Sequence, residues 1–151
     1  WAGAMGQVQF LPSTFLDYGR DGDGDGRIDI WGSTADALDS AAAYMSTGWQ
    51  PGYTWGRQVQ LPDSFDASLA GLDTRRRISQ WQAIGVRRID GSALPSVEID
   101  ASVVLPDDGS DTAFLVYQNY RQLMRWNRSH YFAISLGHLA DRIVGRPALS
   151  R

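Results

Sequence analysis

Hydrophobic and polar residues follow three different rhythms along this chain. From Trp1 to about Trp55 the sequence is rich in Gly and Ala, with helical patches around an acidic stretch. The run ADALDSAAAYM consists of good helix formers. At its start, Ser33-Thr-Ala-Asp36 has capping-box spacing, with Asp in the place usually held by Glu or Gln. Gly48 predicts the stop. From Arg57 to about Tyr117 the rhythm shortens to alternating runs punctuated by Pro, Gly and Asp, and RQVQLP, RRIDG, SVEIDASVVLP and DTAFLVY predict strands. Between them ISQWQAIGV, with Ile78, Trp81 and Ile84 three apart, predicts a short helix. From Asn119 the helical period returns in NYRQLMRWN and YFAISLGHLADRIVG. The second places Phe132, Leu136, Leu139, Ala140 and Ile143 on one face, and Gly145 and Pro147 close it.

Helix, then a β-rich zone, then helix again predicts an α+β fold. A small β module, residues 57–117, is inserted into a mainly helical core contributed by residues 1–56 and 118–151. At 151 residues the chain suffices for one ordinary domain or parts of two small ones. A 43% hydrophobic content and 11% aromatics argue for packing rather than disorder. The net charge of −3, with acidic and basic residues mixed, excludes a nucleic-acid footprint. All 14 basic residues are Arg. Without Cys there is neither a disulfide framework nor a thiolate metal site. No apolar run approaches the ~20 residues of a membrane span, and no signal peptide is visible. The chain starts at Trp1 inside a motif and without Met, which reads as a piece of a longer precursor.

Residues Asp21–Trp31 read DGDGDGRIDIW. A hard cation such as calcium needs several oxygens converging on one point. An EF-hand loop supplies them from positions 1, 3 and 5, turns on a Gly at 6, and adds a main-chain carbonyl at 7. Asp21, Asp23, Asp25, Gly26 and Arg27 match these places in order, Ile28 matches the apolar anchor, and Asp29 could act through a water. The match ends at position 12, where Gly32 replaces the bidentate Glu and the next carboxylate is Asp36. A longer loop closing on Asp36 is the cation reading. A solvated acidic turn, with Asp36 only capping its helix, is the alternative. Six residues of Asp and Gly are costly to order without a counter-ion, which favours the cation.

Upstream lies WAGAMGQVQFLPSTFLDY. With the acidic loop, the DIW, the alanine-rich helix, GW at Gly48 and Trp49, LP at Leu61 and RWNRSHYFA near the end, it resembles the membrane-bound lytic murein transglycosylases of the B type. The resemblance spans most of the chain. It implies a lysozyme-like helical core with a small β domain and an EF-hand-like loop. It also implies cleavage of the bond between N-acetylmuramic acid and N-acetylglucosamine in peptidoglycan, with the muramyl C6 hydroxyl attacking C1 to leave a 1,6-anhydro end. One glutamate serves the family as acid and then base, and such an acid needs a semi-buried apolar pocket. Two-carboxylate glycosidases work differently.

The only glutamate of this chain is Glu98, in an expected strand where an alternating polar residue faces solvent, and it matches no part of the family's motif. The resemblance therefore places the acid in a segment upstream of Trp1 and no catalytic residue within the chain. It assigns substrate contacts to Gln9 and Phe10, with Phe10 as plain core the alternative, and to Tyr44, Trp126, Asn127 and Phe132. Trp126 and Phe132 stand where relatives carry Tyr, which keeps an aromatic surface and removes a hydroxyl. The metal ligands expected are Asp21, Asp23, Asp25, Arg27 through its main chain, and Asp36, around a structural calcium that sodium could replace. His130 and His138 have no ligand partner at metal spacing and read as structural or exposed. The expected partners are peptidoglycan glycan strands and the N-terminal part of the same protein. No nucleic acid is expected, and a membrane only through a lipid anchor outside this chain, which would put the protein in the periplasm. Two other classes stay open: a non-catalytic glycan-binding module and a calcium-stabilised interaction domain.

Overall fold

Residues 2–106 and 112–146 are described by a computed structural model. Trp1, Asp111 and Pro147, on which the sequence reading drew, lie outside them. The chain divides into two units, Trp1–Trp49 and Gln50–Arg151.

In the first unit, Met5 and Phe10 exchange both backbone hydrogen bonds, at 2.8 and 3.0 Å, and close a tight loop. α1 (Pro12–Tyr18) follows, with Pro in the first turn where its missing N–H costs nothing. α2 (Thr34–Ser46) is capped by Ser33, whose hydroxyl accepts from the Asp36 N–H at 3.3 Å. The reciprocal half of a capping box is not made. The Ser33 N–H donates to the Asp29 carbonyl, and the Asp36 carboxylate turns to the acidic loop instead. The two helices meet through Tyr18 edge-on to Tyr44, centroids 5.2 Å apart. The buried Ser40 hydroxyl accepts from the Arg20 N–H that ends the turn after α1.

The second unit is built on a five-stranded antiparallel sheet of β1 (Gly56–Gln60), β2 (Arg76–Arg77), β3 (Arg87–Arg88), β4 (Asp100–Val104) and β5 (Ala113–Val116), in the order β2-β4-β5-β1-β3. β5 is central and buried along its whole length. Ala113 and Leu115 join Val59, Trp81 and Val103 on one face, whereas Phe114 on the other lies 6.0 Å from the Trp55 ring. A strand covered on both faces needs an unbroken apolar run, and AFLV supplies it. α3 (Ile78–Ala83) carries Trp81, which is fully buried and donates its indole N–H to the Ala101 carbonyl at 3.0 Å. α4 (Gln118–Trp126) and α5 (His130–Ile143) complete the unit.

Two expectations are corrected. The strand read from SVEIDASVVLP begins only at Asp100, so Glu98 lies before it, exposed. Its neighbour β2 pairs Arg76 and Arg77 with Ala101 and Asp100 and then turns into α3, whose first N–H, that of Ile78, still donates to the Ile99 carbonyl at 3.2 Å. On α5 the buried residues are Ala133, Ile134 and Gly137, not the expected stripe. Leu136, Leu139 and Ile143 are exposed, Ile143 to 77%. The indole of Trp55 lies so close to Gly137 that an added Cβ would sit 2.5 Å from it, so the small-residue face is the one that packs.

Candidate functional site

The acidic loop of the first unit is organised by backbone N–H groups donating to carboxylates. Asp21 accepts from Gly24 (2.7 Å) and Asp25 (3.1 Å) on one oxygen and from Gly26 (2.8 Å) on the other. Gly24 and Gly26 sit at φ +77° and +87°, which the alternating Asp-Gly pattern makes inexpensive. Asp36, buried at the start of α2, accepts from Gly22 at 2.8 Å and Asp29 at 2.7 Å. The Asp29 N–H, helped by that of Gly22 and opposed by burial, holds the Asp36 carboxyl below the usual carboxylate range. Asp23 accepts from the Ser33 hydroxyl at 2.8 Å.

Oxygens of Asp21, Asp23 and Asp36 all lie within 4.8 Å of one another. Two ligands bound to one calcium at 2.3–2.6 Å stand at most roughly 4.6–5.2 Å apart, so these three oxygens can share one hard cation. The donor set, all oxygen and all carboxylate, fits calcium by chemistry as well as by spacing. Asp25 stands outside this trio and accepts from the Arg27 N–H at 2.8 Å. Asp29 turns a carboxylate oxygen back to the N–H groups of Trp31 and Gly32.

Of the expected sugar-contacting residues, three belong to the same unit. Phe10 is buried to 3% exposure and its ring packs 6.0 Å from Tyr44. Gln9 beside it is exposed and held at φ +52°, a left-handed backbone uncommon outside glycine, with its side-chain amide donating to the Gly6 carbonyl at 2.9 Å. Such local strain is concentrated where function needs it.

The other three lie in the second unit, at the corner between α4 and α5. Trp126 ends α4, Asn127 is its C-cap and donates to the Leu123 carbonyl, and Phe132 donates its N–H to the Ser129 hydroxyl that caps α5. The aromatics thus stand on the two helices that flank a three-residue turn, and the amide stands in the turn itself. Next to it, Nδ1 of His130 is 2.7 Å from the Tyr120 hydroxyl, and the two rings stack. Burial pushes the His130 imidazole below its ordinary value and the Tyr120 phenol well above its own. Tyr120 stacks in turn on Trp55, whose indole N–H donates to Asp141 at 2.9 Å. His130 is therefore structural, but paired, and only its Asn-x-Ser-His setting at a helix start hinted at order.

Sequence reading missed a second polar feature. A cavity of about 340 Å³ opens at the β2–β4 edge of the sheet, and Arg75, Arg77 and Arg121 all line it. The triple-Arg run and its odd-numbered members were visible in the sequence; Arg121, on α4, was not connected to them.

Three comparisons with known proteins bear on this geometry. The family model described as "Transglycosylase SLT domain" matches residues 1–141. Membrane-bound lytic murein transglycosylase B of Escherichia coli (strain K12) is 30% identical over 151 residues, covering 95% of this chain and 39% of that protein. The crystal structure of SltB3 from Pseudomonas aeruginosa in complex with NAG-anhNAM-pentapeptide is 46% identical with a TM-score of 0.87, covering 97% of this chain and 40% of that one. The E. coli lytic transglycosylase Slt35 in complex with calcium is 27% identical with a TM-score of 0.75, covering 95% and 45%. The chain thus spans about two fifths of the length of these relatives. Its mixed helix-and-strand fold is that of lytic transglycosylase structures, and the chain belongs to the transglycosylase SLT domain family.

Proposed function

We propose that this chain is part of a peptidoglycan lytic transglycosylase and supplies substrate contacts and a calcium-braced loop, the general acid coming from elsewhere in a longer protein. The observation that carries the reading is the 46% identity, at a TM-score of 0.87, to a structure holding NAG-anhNAM-pentapeptide. An anhydro sugar is what the C6-hydroxyl route leaves behind. In that route the muramyl C6 hydroxyl attacks C1 and the C1–O4 bond breaks. The leaving O4 takes a proton from a glutamic acid, and the glutamate so formed receives the proton of the C6 hydroxyl. The atoms balance without water.

Such an acid works from an apolar, half-buried pocket, and Glu98 is exposed at the entrance to β4. We assign the acid to the part of the longer protein that these relatives have and this sequence does not cover. Gln9 and Tyr44 contact sugar from the first unit, with Phe10 as the buried support of Tyr44. Trp126 and Phe132 offer ring faces and Asn127 an amide from the second. Calcium would be held by Asp21, Asp23 and Asp36, with Asp25 and the Arg27 main chain nearby, and sodium could replace it. It would supply a fixed charge that ties the loop to α2, the helix carrying Tyr44, and it takes no part in bond breaking. A cell-wall substrate puts the protein in the periplasm, with any lipid anchor outside this sequence.

The test is a digest of purified peptidoglycan sacculi, comparing this chain with a version extended through the upstream segment, products read by mass spectrometry. Release of 1,6-anhydro muropeptides by the extended version alone is expected. Binding to sacculi with no release by either version would make this a glycan-binding module, as the absence of a buried glutamate among the described residues would then suit. Anhydro products from the chain alone would overturn the assignment of the acid.

A further inference from the structure

Resting on the peptidoglycan reading, we propose that the cavity at the β2–β4 edge of the second unit is a subsite for a free carboxylate of the peptide attached to the glycan. The strand period of two puts Arg75 and Arg77 on the cavity side and sends Arg76 to the other, where its guanidinium lies 5.7 Å from the Trp81 ring centre. Arg121 reaches the same cavity from α4, held by the Leu72 carbonyl and the Ser102 hydroxyl through one terminal nitrogen. That anchoring fixes the guanidinium in place and leaves its Nε and Nη1 without a partner among the described residues.

Among the described residues Arg77 is the one of the three in an ion pair, at 3.4 Å with Asp100, which also lines the cavity, and it donates to the Glu98 carbonyl at 2.7 Å. Arg75 makes no hydrogen bond or ion pair among the described residues, and its charge acts on Arg121. Two guanidiniums thus share a concave polar site, with the Asp73 carboxylate acting on Arg121 as well, and each carries several donors in a planar fork matched to a carboxylate. The cavity, at about 340 Å³, has room for an amino-acid-sized group. Glu98 also lines it. A neutral sugar would have no use for this arrangement; a glycopeptide would.

The experiment titrates this chain with NAG-NAM-pentapeptide and, separately, with the NAG-NAM disaccharide, following Arg Nε–H signals by NMR together with binding constants. The pentapeptide ligand should shift the Arg75 and Arg121 signals and bind more tightly than the disaccharide. Arg75→Gln, at an exposed position with no partner to lose, should weaken the pentapeptide ligand about tenfold, the worth of one charge-assisted hydrogen bond. It should leave the disaccharide unchanged, and Arg75→Lys should restore part of the loss. Equal affinity of the two ligands, or an Arg75→Gln variant as tight as the parent, overturns the carboxylate subsite while the glycan reading stands. Absence of binding by both ligands overturns the two together.

Discussion

Trp55 packs against Gly137, where an added Cβ would sit 2.5 Å from the indole. The indole also stacks on Tyr120 and is pinned by its N–H to Asp141. Gly137→Ala should cost about 1–3 kcal/mol, the usual penalty for forcing a methyl into a filled core, measured as a lower urea midpoint at unchanged slope. Beside this stack, His130 gives the protein a pH signature. Its imidazole is held below the ordinary value of 6.5 by burial, so the unfolded chain takes up a proton at higher pH than the folded one. Stability from this site is complete above pH 6.5 and is lost as pH falls through the lower, folded value. The urea midpoint should accordingly drop on acidification below that point. His130→Gln should flatten the drop, and an unchanged profile would show that His130 charges as easily folded as unfolded.

At the level of elements, α2 and the acidic loop act as one device. Asp36 belongs to the helix by position and to the loop by its bonds, since both of its oxygens accept N–H groups from the loop. A cation bound only by the folded state should raise unfolding free energy by mass action, about 2.7 kcal/mol at a hundredfold excess over its Kd. Calorimetry with calcium and then with chelator should show that rise and its reversal. Asp21→Asn should reduce it without disturbing α2, and equal melting temperatures with and without calcium would remove the metal from the account. α5 makes a different statement. Its exposed Leu139, Ile143 and Val144, at 55%, 77% and 70%, form an apolar edge that a soluble monomer rarely leaves open. The chain by itself should therefore self-associate in light scattering, and Leu139→Glu with Ile143→Glu should reduce that association with little loss of stability.

For the whole molecule, the fold is shared with relatives of which this chain spans about two fifths. Among the described residues, no helix is long and apolar enough to cross a membrane. The cluster of oxygens lies in one unit and the arginine-lined cavity in the other, so the two can be tested separately. Removal of calcium should lower the melting of the first and leave the Arg75 and Arg121 signals of the second unmoved.

Much of this was legible in the residues themselves. Ser33 announces the start of α2, DTAFLVY a strand, and WAGAMGQVQFLPSTFLDY with DGDGDGRIDIW a family, because each is a local signal carried by neighbouring residues. What only the tertiary structure decided depends on distant partners. The two residues of β2 have no strand pattern of their own and exist as a strand because β4 pairs with them. Arg121 meets Arg75 from another element. On α5 the periodicity picked the more apolar stripe, whereas packing chose the face bearing Gly137. Periodicity reports which side of a helix is greasy; which side is covered depends on the shape of what lies against it, and here that is the flat ring of Trp55.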